Sequence, residues 1–320
     1  MLEMAYNDDY NKRWCQAVLC TIRAVNMGGI RRMQQFSRDL TQQTSSGGDL
    51  YEAIRRVRGP VQPVAEPSTA EHSSTLLAKR YELKYRIPES TAIAIRSFVR
   101  GYLDVDKYAL KQPDRQYPIC SLYLDSPRFD LFHETVFDKC NRFKLRVRGY
   151  DDDPNSPLFF EIKRKLNRII YKSRARVGKQ MLRPILSGSY VPRDLPEKDR
   201  KTLKQFMHYC QCLQARPTVL IRYMREAYEN QTDSKVRITF DRQLSCQYVN
   251  SPIFTMNGRG WHTVPIDFVI LEIKFTASFP AWLKDMVRLF DLNRQSMSKY
   301  CSSVRQLVPQ GSAIYRLPNR

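Results

Sequence analysis

The chain has 320 residues, of which 53 are Lys or Arg and 32 are Asp or Glu, so its formal net charge is +21. A hydrophobic fraction of 42% and an aromatic fraction of 11% can bury a sizeable core, which excludes a chain that is disordered throughout. No run of about 18 apolar residues occurs, so the sequence predicts no transmembrane helix. The basic excess predicts an anionic partner, which is a nucleic acid, a phospholipid or a small polyanion.

Cysteine and histidine give little support for a metal site. The 8 cysteines are scattered without a CxxC pair, and the 4 histidines are isolated. Cys120 and Cys301 lie in apolar or small-residue settings typical of reduced, buried thiols, so we expect a cytoplasmic protein. The apolar segment 17–25 is short and contains Arg23, which argues against a secretion signal.

Residues 1–75 differ in character from the rest of the chain. They contain weak helical patterns at 14–25 and 50–57, a Gly/Ser/Thr/Gln stretch at 42–48 and a linker at 60–74. We predict a flexible extension or a start codon placed too far upstream; the alternative is a basic arm that docks on a partner or membrane. The folded domain is predicted over 78–312, with a tail at 313–320.

Regular patterns begin at Arg80. Residues 80–87 alternate strictly, with Arg80, Glu82 and Lys84 on one face of a predicted strand and apolar or aromatic side chains on the other. A helix, a strand and a second helix are then predicted over 88–101, 117–125 and 128–139.

Three consecutive strands within 142–177 each carry a cationic face. One face of the first strand carries Arg142, Lys144, Arg146 and Arg148. One face of the second strand carries Glu161 and Lys163. Lys172 aligns with Arg174 and Arg176 on the third. For any one strand, the simpler interpretation is a polar face exposed to solvent. Taken together, so many like charges repel one another unless they surround an anion.

The C-terminal half continues with further strands and helices. A loop-rich segment at 183–195 precedes a helix at 197–213, and strands are predicted at 217–228, 235–241, 245–248 and 267–275. A single long amphipathic helix is predicted over 280–307. Tyr223 and Arg225 share a strand face, and Glu272 lies among apolar residues of the last strand.

About eight mostly antiparallel strands interrupted by helices predict an α+β fold. If the sheet closes into a tunnel with charged residues inside, helices must pack on its outer wall, and 90–101, 197–213 and 280–307 can supply them. Arg and Lys suit phosphate. Glu272 then either pairs with a neighbouring Arg or holds Mg²⁺ or Mn²⁺ against phosphate oxygens. No Walker A loop, kinase Gly-rich loop or GxSxG elbow occurs, but phosphoryl transfer needs no protein nucleophile.

Eight short motifs carry a family resemblance, in the order RYELKY, KLRVRGY, FFEIKRK, YKSR, YMREAY, KVRITFD, LEIKF and SMSKY. Over about 80–310 the chain resembles the vacuolar transporter chaperone (VTC) domain of the triphosphate tunnel metalloenzyme superfamily. The resemblance implies an antiparallel, eight-stranded tunnel with outer helices and a C-terminal closing helix. It also implies synthesis of polyphosphate from ATP with Mn²⁺ or Mg²⁺.

The resemblance also implies roles for individual residues. Catalytic roles fall to Arg146, Arg148, Lys299 and Glu272, with Glu272 also the metal ligand. Binding of phosphate or nucleotide falls to Lys84, Lys163, Lys172, Tyr223, Arg225, Arg237 and Ser298. The first strand offers Glu82-Leu-Lys84 instead of the ExExK of the wider superfamily, so a metal role for Glu82 is not expected.

The expected ligands are ATP and polyphosphate. Nucleic acid is not expected, because few aromatic residues interleave with the basic ones and an interior charge array excludes a duplex. A product that leaves a tunnel suggests a partner protein in a membrane, which would place this cytoplasmic protein at that membrane. Two alternatives stay open, namely a tunnel hydrolase of triphosphate or nucleoside triphosphates and a non-catalytic polyphosphate-binding subunit.

Overall fold

The computed structural model describes residues 80–166, 169–188, 192, 194–230, 236–276, 278–295 and 297–308. The predicted N-terminal extension (1–75) and the predicted tail (313–320) lie outside these residues, so both stay predictions. No helix within the described ranges is both long enough and apolar enough to cross a membrane.

The described strands form one antiparallel sheet. Eight longer strands follow one another in the order β1-β10-β8-β7-β3-β4-β5-β6, while the short β2 pairs with β7 and the short β9 pairs with β8. The strands are β1 Arg80–Ile87, β2 Asp104–Val105, β3 Tyr117–Asp125, β4 Arg142–Gly149, β5 Pro157–Leu166, β6 Ile169–Gly178, β7 Arg216–Glu229, β8 Arg237–Tyr248, β9 His262–Thr263 and β10 Val269–Thr276. The predicted antiparallel α+β fold is confirmed, and the segment 245–248 belongs to β8 instead of forming a separate strand.

The helices connect the strands and cover the sheet. They are α1 Glu89–Val99, α2 Asp130–Val136, α3 Leu182–Leu186, α4 Glu197–Leu213, α5 Ala281–Leu289 and α6 Lys299–Leu307. The short helix α3 begins just before the segment 183–195, which the sequence predicts to be loop-rich.

The prediction of one long helix over 280–307 is wrong. Helix α5 ends at Leu289 because Asp291 adopts a left-handed conformation (φ 44°), and the N–H groups of Asp291 and Leu292 turn back to the carbonyls of Arg288 and Val287. The chain then pairs with the edge of β1, where the N–H of Gln295 donates to the carbonyl of Lys84 at 2.9 Å.

Three groups of buried side chains lie on the two faces of the sheet. On the outer face, Phe206 of α4 packs against β4, β5 and β6, while α1 and α5 pack against β1, β8 and β10. Helix α6 packs on the inner face, where Tyr300 stacks on Tyr123 of β3 with ring centroids 4.9 Å apart. The outer position of the predicted helices is therefore confirmed for α1, α4 and α5, whereas α6 closes the inner side.

The sheet curls until its two ends face each other. Among the described residues, no backbone pairing joins β1 to β6. The side chains nevertheless meet, because Lys163 Nζ of β5 lies 3.2 Å from the carboxylate of Glu82 on β1, at the opposite end of the strand order. The inner face therefore surrounds a tunnel whose wall is completed by side chains instead of backbone hydrogen bonds.

The outer core predicts a large loss of stability for Phe206→Ala. Phe206 is fully buried, and its ring meets that of Phe160 edge-on at 5.3 Å. Removing it is expected to lower the free energy of unfolding by about 3–5 kcal/mol. Lys204→Ala on the exposed side of the same helix is the matched control, with an expected change within about 0.5 kcal/mol. Denaturant unfolding measures both, and a small change for Phe206→Ala would contradict this packing.

Candidate active site

The inner face carries a dense group of charges in the described part of the chain. This group contains ten cations and four carboxylates, which gives it a net charge of +6 at full ionisation. The cations are Lys84, Lys144, Arg146, Arg148, Lys163, Lys172, Arg174, Arg225, Lys274 and Lys299, and the carboxylates are Glu82, Glu161, Asp241 and Glu272.

Glu272 lies at the centre of one half of this group. Its carboxylate is 2.9 Å from Lys274 Nζ and 3.1 Å from Lys84 Nζ, with Lys299 at 3.7 Å and Arg225 at 3.9 Å. Burial alone would raise the pKa of Glu272, but these four cations outweigh burial and hold the pKa well below its usual range. Glu272 is therefore ionised, and its closest ion pairs are with two lysines, while Arg225 lies farther away.

Asp241 belongs to the charged group, and the sequence analysis missed it. Arg225 donates to both of its carboxylate oxygens at 2.6 and 2.7 Å, and Lys299 Nζ lies 2.6 Å away. Lys299 also lies over the ring of Tyr223, 4.7 Å from its centroid. Asp241 thus orients an Arg and a Lys toward the tunnel. Alternation from Arg237 through Thr239 would have placed Asp241 on this face.

Glu161 organises the other half of the group. Arg146 Nε and Arg174 Nε each donate to its fully buried carboxylate at 2.7 Å, and Lys172 Nζ lies at 2.8 Å. Burial alone would raise the pKa of Glu161, but the surrounding cations, Arg146 first, hold it far below its usual range. Arg146 also donates to the Tyr123 hydroxyl at 3.1 Å.

Two cations of the group contact hydroxyls instead of carboxylates. Lys144 Nζ donates to Ser298 Oγ at 2.8 Å, and Arg148 Nε donates to Ser121 Oγ at 3.3 Å. In the described residues neither has a carboxylate oxygen within 4.0 Å. Burial lowers the pKa of Lys144. Side chains of this kind are free to bind an incoming anion without first breaking an ion pair.

All eleven predicted site residues lie on the inner face of the sheet or at the start of α6, but Arg237 pairs with carboxylates outside the charged group. Arg237 lies at the start of β8, where it forms ion pairs with Glu229 at 2.6 Å and Asp106 at 3.0 Å. It also donates to the Tyr117 hydroxyl at 3.2 Å. These two carboxylates compensate the charge of Arg237, as Asp241 does for Arg225, so its role in phosphate binding stays a prediction.

A divalent ion fits this site only together with phosphate. No group of three or more His, Cys, Asp or Glu side chains that could hold a metal occurs in the described ranges. Glu82 and Glu272 share Lys84 Nζ, at 3.2 and 3.1 Å. Mg²⁺ is usually bound through one or two carboxylates, with water and substrate phosphates completing its coordination. The donor set around Glu272 is of that kind.

Two lysines of the group predict a pH-dependent affinity for polyanions. Burial lowers the pKa of Lys163 to about 8 and that of Lys172 to about 7. Each amine therefore loses its charge as the pH rises through these values. The affinity for long-chain polyphosphate, whose internal phosphates stay fully ionised, is expected to fall at least about tenfold between about pH 6.5 and about pH 9. The pKa of Tyr123 acts in the same direction, because Arg146 and Lys144 overcome its burial and lower it to about 8.

The matched test replaces both lysines by arginine, which stays charged over this range. The double variant Lys163→Arg, Lys172→Arg is expected to lose most of the pH dependence when binding is measured by titration calorimetry. An equally steep fall in the double variant would exclude these two amines as its origin.

The segment that matches a known protein family has nearly the same bounds as the sheet together with helix α6. Residues 79–308 match the family described as "VTC domain", which is well over half of the chain. The chain belongs to the VTC domain family. The VTC domain runs from β1 to the end of α6, so it includes every residue of the charged group.

One curated relative shows what this VTC domain resembles at low identity. The chain is similar to vacuolar transporter chaperone complex subunit 4 of Schizosaccharomyces pombe, with 22% identity over 284 residues that cover 74% of this chain and 38% of that protein. The chain thus spans well under half the length of that relative.

Among solved structures, this chain is similar to HpAC1 from Hippeastrum, which is described as having a dominant triphosphatase activity. The identity is 13% and the TM-score is 0.41, and the match covers 72% of this chain and 97% of HpAC1. It is also similar to the PH1819 protein of Pyrococcus horikoshii (13% identity, TM-score 0.35, covering 71% and 98%).

Proposed function

We propose that this VTC domain is a polyphosphate polymerase that transfers the γ-phosphate of ATP to a growing polyphosphate chain inside the tunnel. The supporting observation is the charged group on the inner face, in which ten cations surround four carboxylates that are themselves buried or nearly so. A row of phosphates would supply the negative charge that the Arg and Lys side chains lack. It would do so without any contact between the protein and a nucleobase.

Each half of the charged group would take a separate part of the reaction. Arg146, Lys172 and Arg174 would bind phosphates of the chain on the Glu161 side. Arg225 and Lys299, held in place by Asp241, would bind and orient the phosphates of ATP on the Glu272 side. Positioning of the substrates and neutralisation of their charge supply most of the rate enhancement in enzymatic phosphoryl transfer, so no protein nucleophile is needed.

The metal proposed for this site is Mn²⁺ or Mg²⁺, held by Glu272. When bound, the ion would neutralise the charge of the transferred phosphoryl group. Glu82 lies close enough to Glu272 to share Lys84 with it, and ion pairing with Lys84 and Lys163 remains its role here.

Partner proteins are also proposed. The Schizosaccharomyces pombe relative is a subunit of the vacuolar transporter chaperone complex. By analogy, we propose that this chain works in the cytoplasm beside a membrane-embedded partner that accepts the product.

Product analysis tests the proposal. Purified protein is incubated with ATP and Mn²⁺, and the products are separated on a gel stained for polyphosphate. A metal-dependent ladder is expected. Release of phosphate or pyrophosphate without a ladder would identify a tunnel hydrolase. Tight polyphosphate binding without any turnover would identify a non-catalytic binding subunit.

A further inference from the structure

Helix α6 brings its first turn to the tunnel wall. Ser298 caps the helix by accepting the N–H of Cys301 at 3.3 Å, and the same hydroxyl accepts a hydrogen bond from Lys144. The next residue, Lys299, contacts Asp241 and lies over Tyr223. The position of this one turn therefore decides where two residues of the proposed active site lie.

A buried carboxylate at the end of β3 holds the same turn from behind. Asp125 is 1% exposed and accepts the N–H groups of Ser126, Leu131 and Phe132 at 2.7–2.9 Å, which fixes the start of α2. Its Oδ2 also accepts the hydroxyl of Tyr300 at 2.5 Å. Asp125 thus joins β3, α2 and α6 at one point.

The ring of Tyr300 makes a second contact that leads back to the tunnel. It stacks on Tyr123 with a centroid distance of 4.9 Å and an interplanar angle of 16°. The Tyr123 hydroxyl accepts a hydrogen bond from Arg146. Tyr300 itself is 2% exposed and faces Asp125, so it is placed to hold its neighbours and not to touch a phosphate.

We propose that Asp125 and Tyr300 are positioning residues that hold Ser298 and Lys299 at the tunnel wall. The inference rests on the proposed function, because it assigns those two residues to phosphate binding. Lys299 is adjacent to Tyr300, so any shift of the first helical turn moves Lys299 Nζ away from Asp241. A displacement of about 1 Å is enough to weaken a preorganised contact strongly.

The test is a double-mutant cycle on the affinity for long-chain polyphosphate. Tyr300→Phe removes the hydroxyl and keeps the ring, so the fold is expected to persist while affinity falls about tenfold. In a Lys299→Met background the same change is expected to alter affinity less than about twofold, because the group that it positions is gone. A purely structural role would weaken binding equally in both backgrounds.

The matched control is Tyr228→Phe. Tyr228 is also buried, and its hydroxyl donates to a buried carboxylate, Glu226, at 2.7 Å, but on the outer face of the sheet. The Tyr228→Phe variant is expected to lose about as much stability as Tyr300→Phe, without any change in its affinity for polyphosphate. Asp125→Asn, which keeps the size of the side chain, serves as a second variant if Tyr300→Phe does not fold.

The outcomes separate this inference from the proposed function. Wild-type protein that binds polyphosphate but makes none would overturn the proposed function and leave the positioning role intact. Equal losses with and without Lys299, or a loss in Tyr228→Phe as large as that in Tyr300→Phe, would overturn the positioning role alone. Wild-type protein that does not bind polyphosphate would overturn both.

Discussion

Glu272→Gln is expected to reduce metal-dependent chain synthesis by at least roughly 100-fold, the size of effect seen when one preorganised charge-stabilising group is removed. The substitution keeps the shape of the side chain but removes the anionic ligand on which the divalent ion would depend. Binding of polyphosphate is expected to persist or tighten, because the four cations that face Glu272 lose one neighbouring negative charge. The rate of phosphate incorporation and the affinity are measured separately.

A matched control on the outer face separates this effect from a loss of folding. Glu226 is 3% exposed and is held by Arg96 at 2.7 Å and Arg242 at 3.0 Å. Glu226→Gln therefore also removes a buried carboxylate from a pair of arginines, yet it is expected to leave synthesis unchanged once the protein is folded. Undiminished synthesis in Glu272→Gln, or equal losses in both variants, would exclude Glu272 as the metal ligand.

Arg146→Ala is expected to weaken polyphosphate binding by roughly 10- to 100-fold, as the loss of a charge-assisted, forked contact implies. Arg146 combines a close contact to Glu161 with a hydrogen bond to Tyr123, so its guanidinium is fixed before the phosphate arrives. Arg146→Lys keeps the charge without the fork and is expected to give an intermediate affinity. Titration calorimetry with long-chain polyphosphate measures all three proteins.

The control for Arg146→Ala again lies on the outer face. Arg96 pairs with buried Glu226 much as Arg146 pairs with buried Glu161. Arg96→Ala is expected to cost stability but not affinity. Normal binding by Arg146→Ala would remove this residue from the phosphate-binding wall.

The strands were the most predictable part of the fold, because alternation with a period of two records which face each residue occupies. The strand 117–125 and the helix 197–213 have the predicted bounds. Alternation also placed Arg146 and Lys172 on the inner face. It could not show that the sheet curls far enough to bring Lys163 against Glu82, since that depends on the summed twist of eight strands.

Other features depend on contacts that no local pattern records. The turn at Asp291 that ends α5 uses a left-handed residue that is not glycine, so the sequence shows no break in the helical pattern there. Arg237 is compensated partly through Asp106, next to the two-residue strand β2, which is too short to predict. Asp125 ends a strand, where an Asp is ordinarily interpreted as a turn residue.

In the proposed reaction, the γ-phosphate of ATP becomes part of a polyphosphate chain. The most direct measurement uses ATP labelled in the γ- or the α-phosphate, with Mn²⁺, and follows the label in the isolated chain together with the ADP formed. Transfer predicts γ-label in the chain, no α-label, and one ADP for each phosphate added. The proposal would be contradicted if the γ-label appeared only in released phosphate and not in the chain, or if no ADP formed.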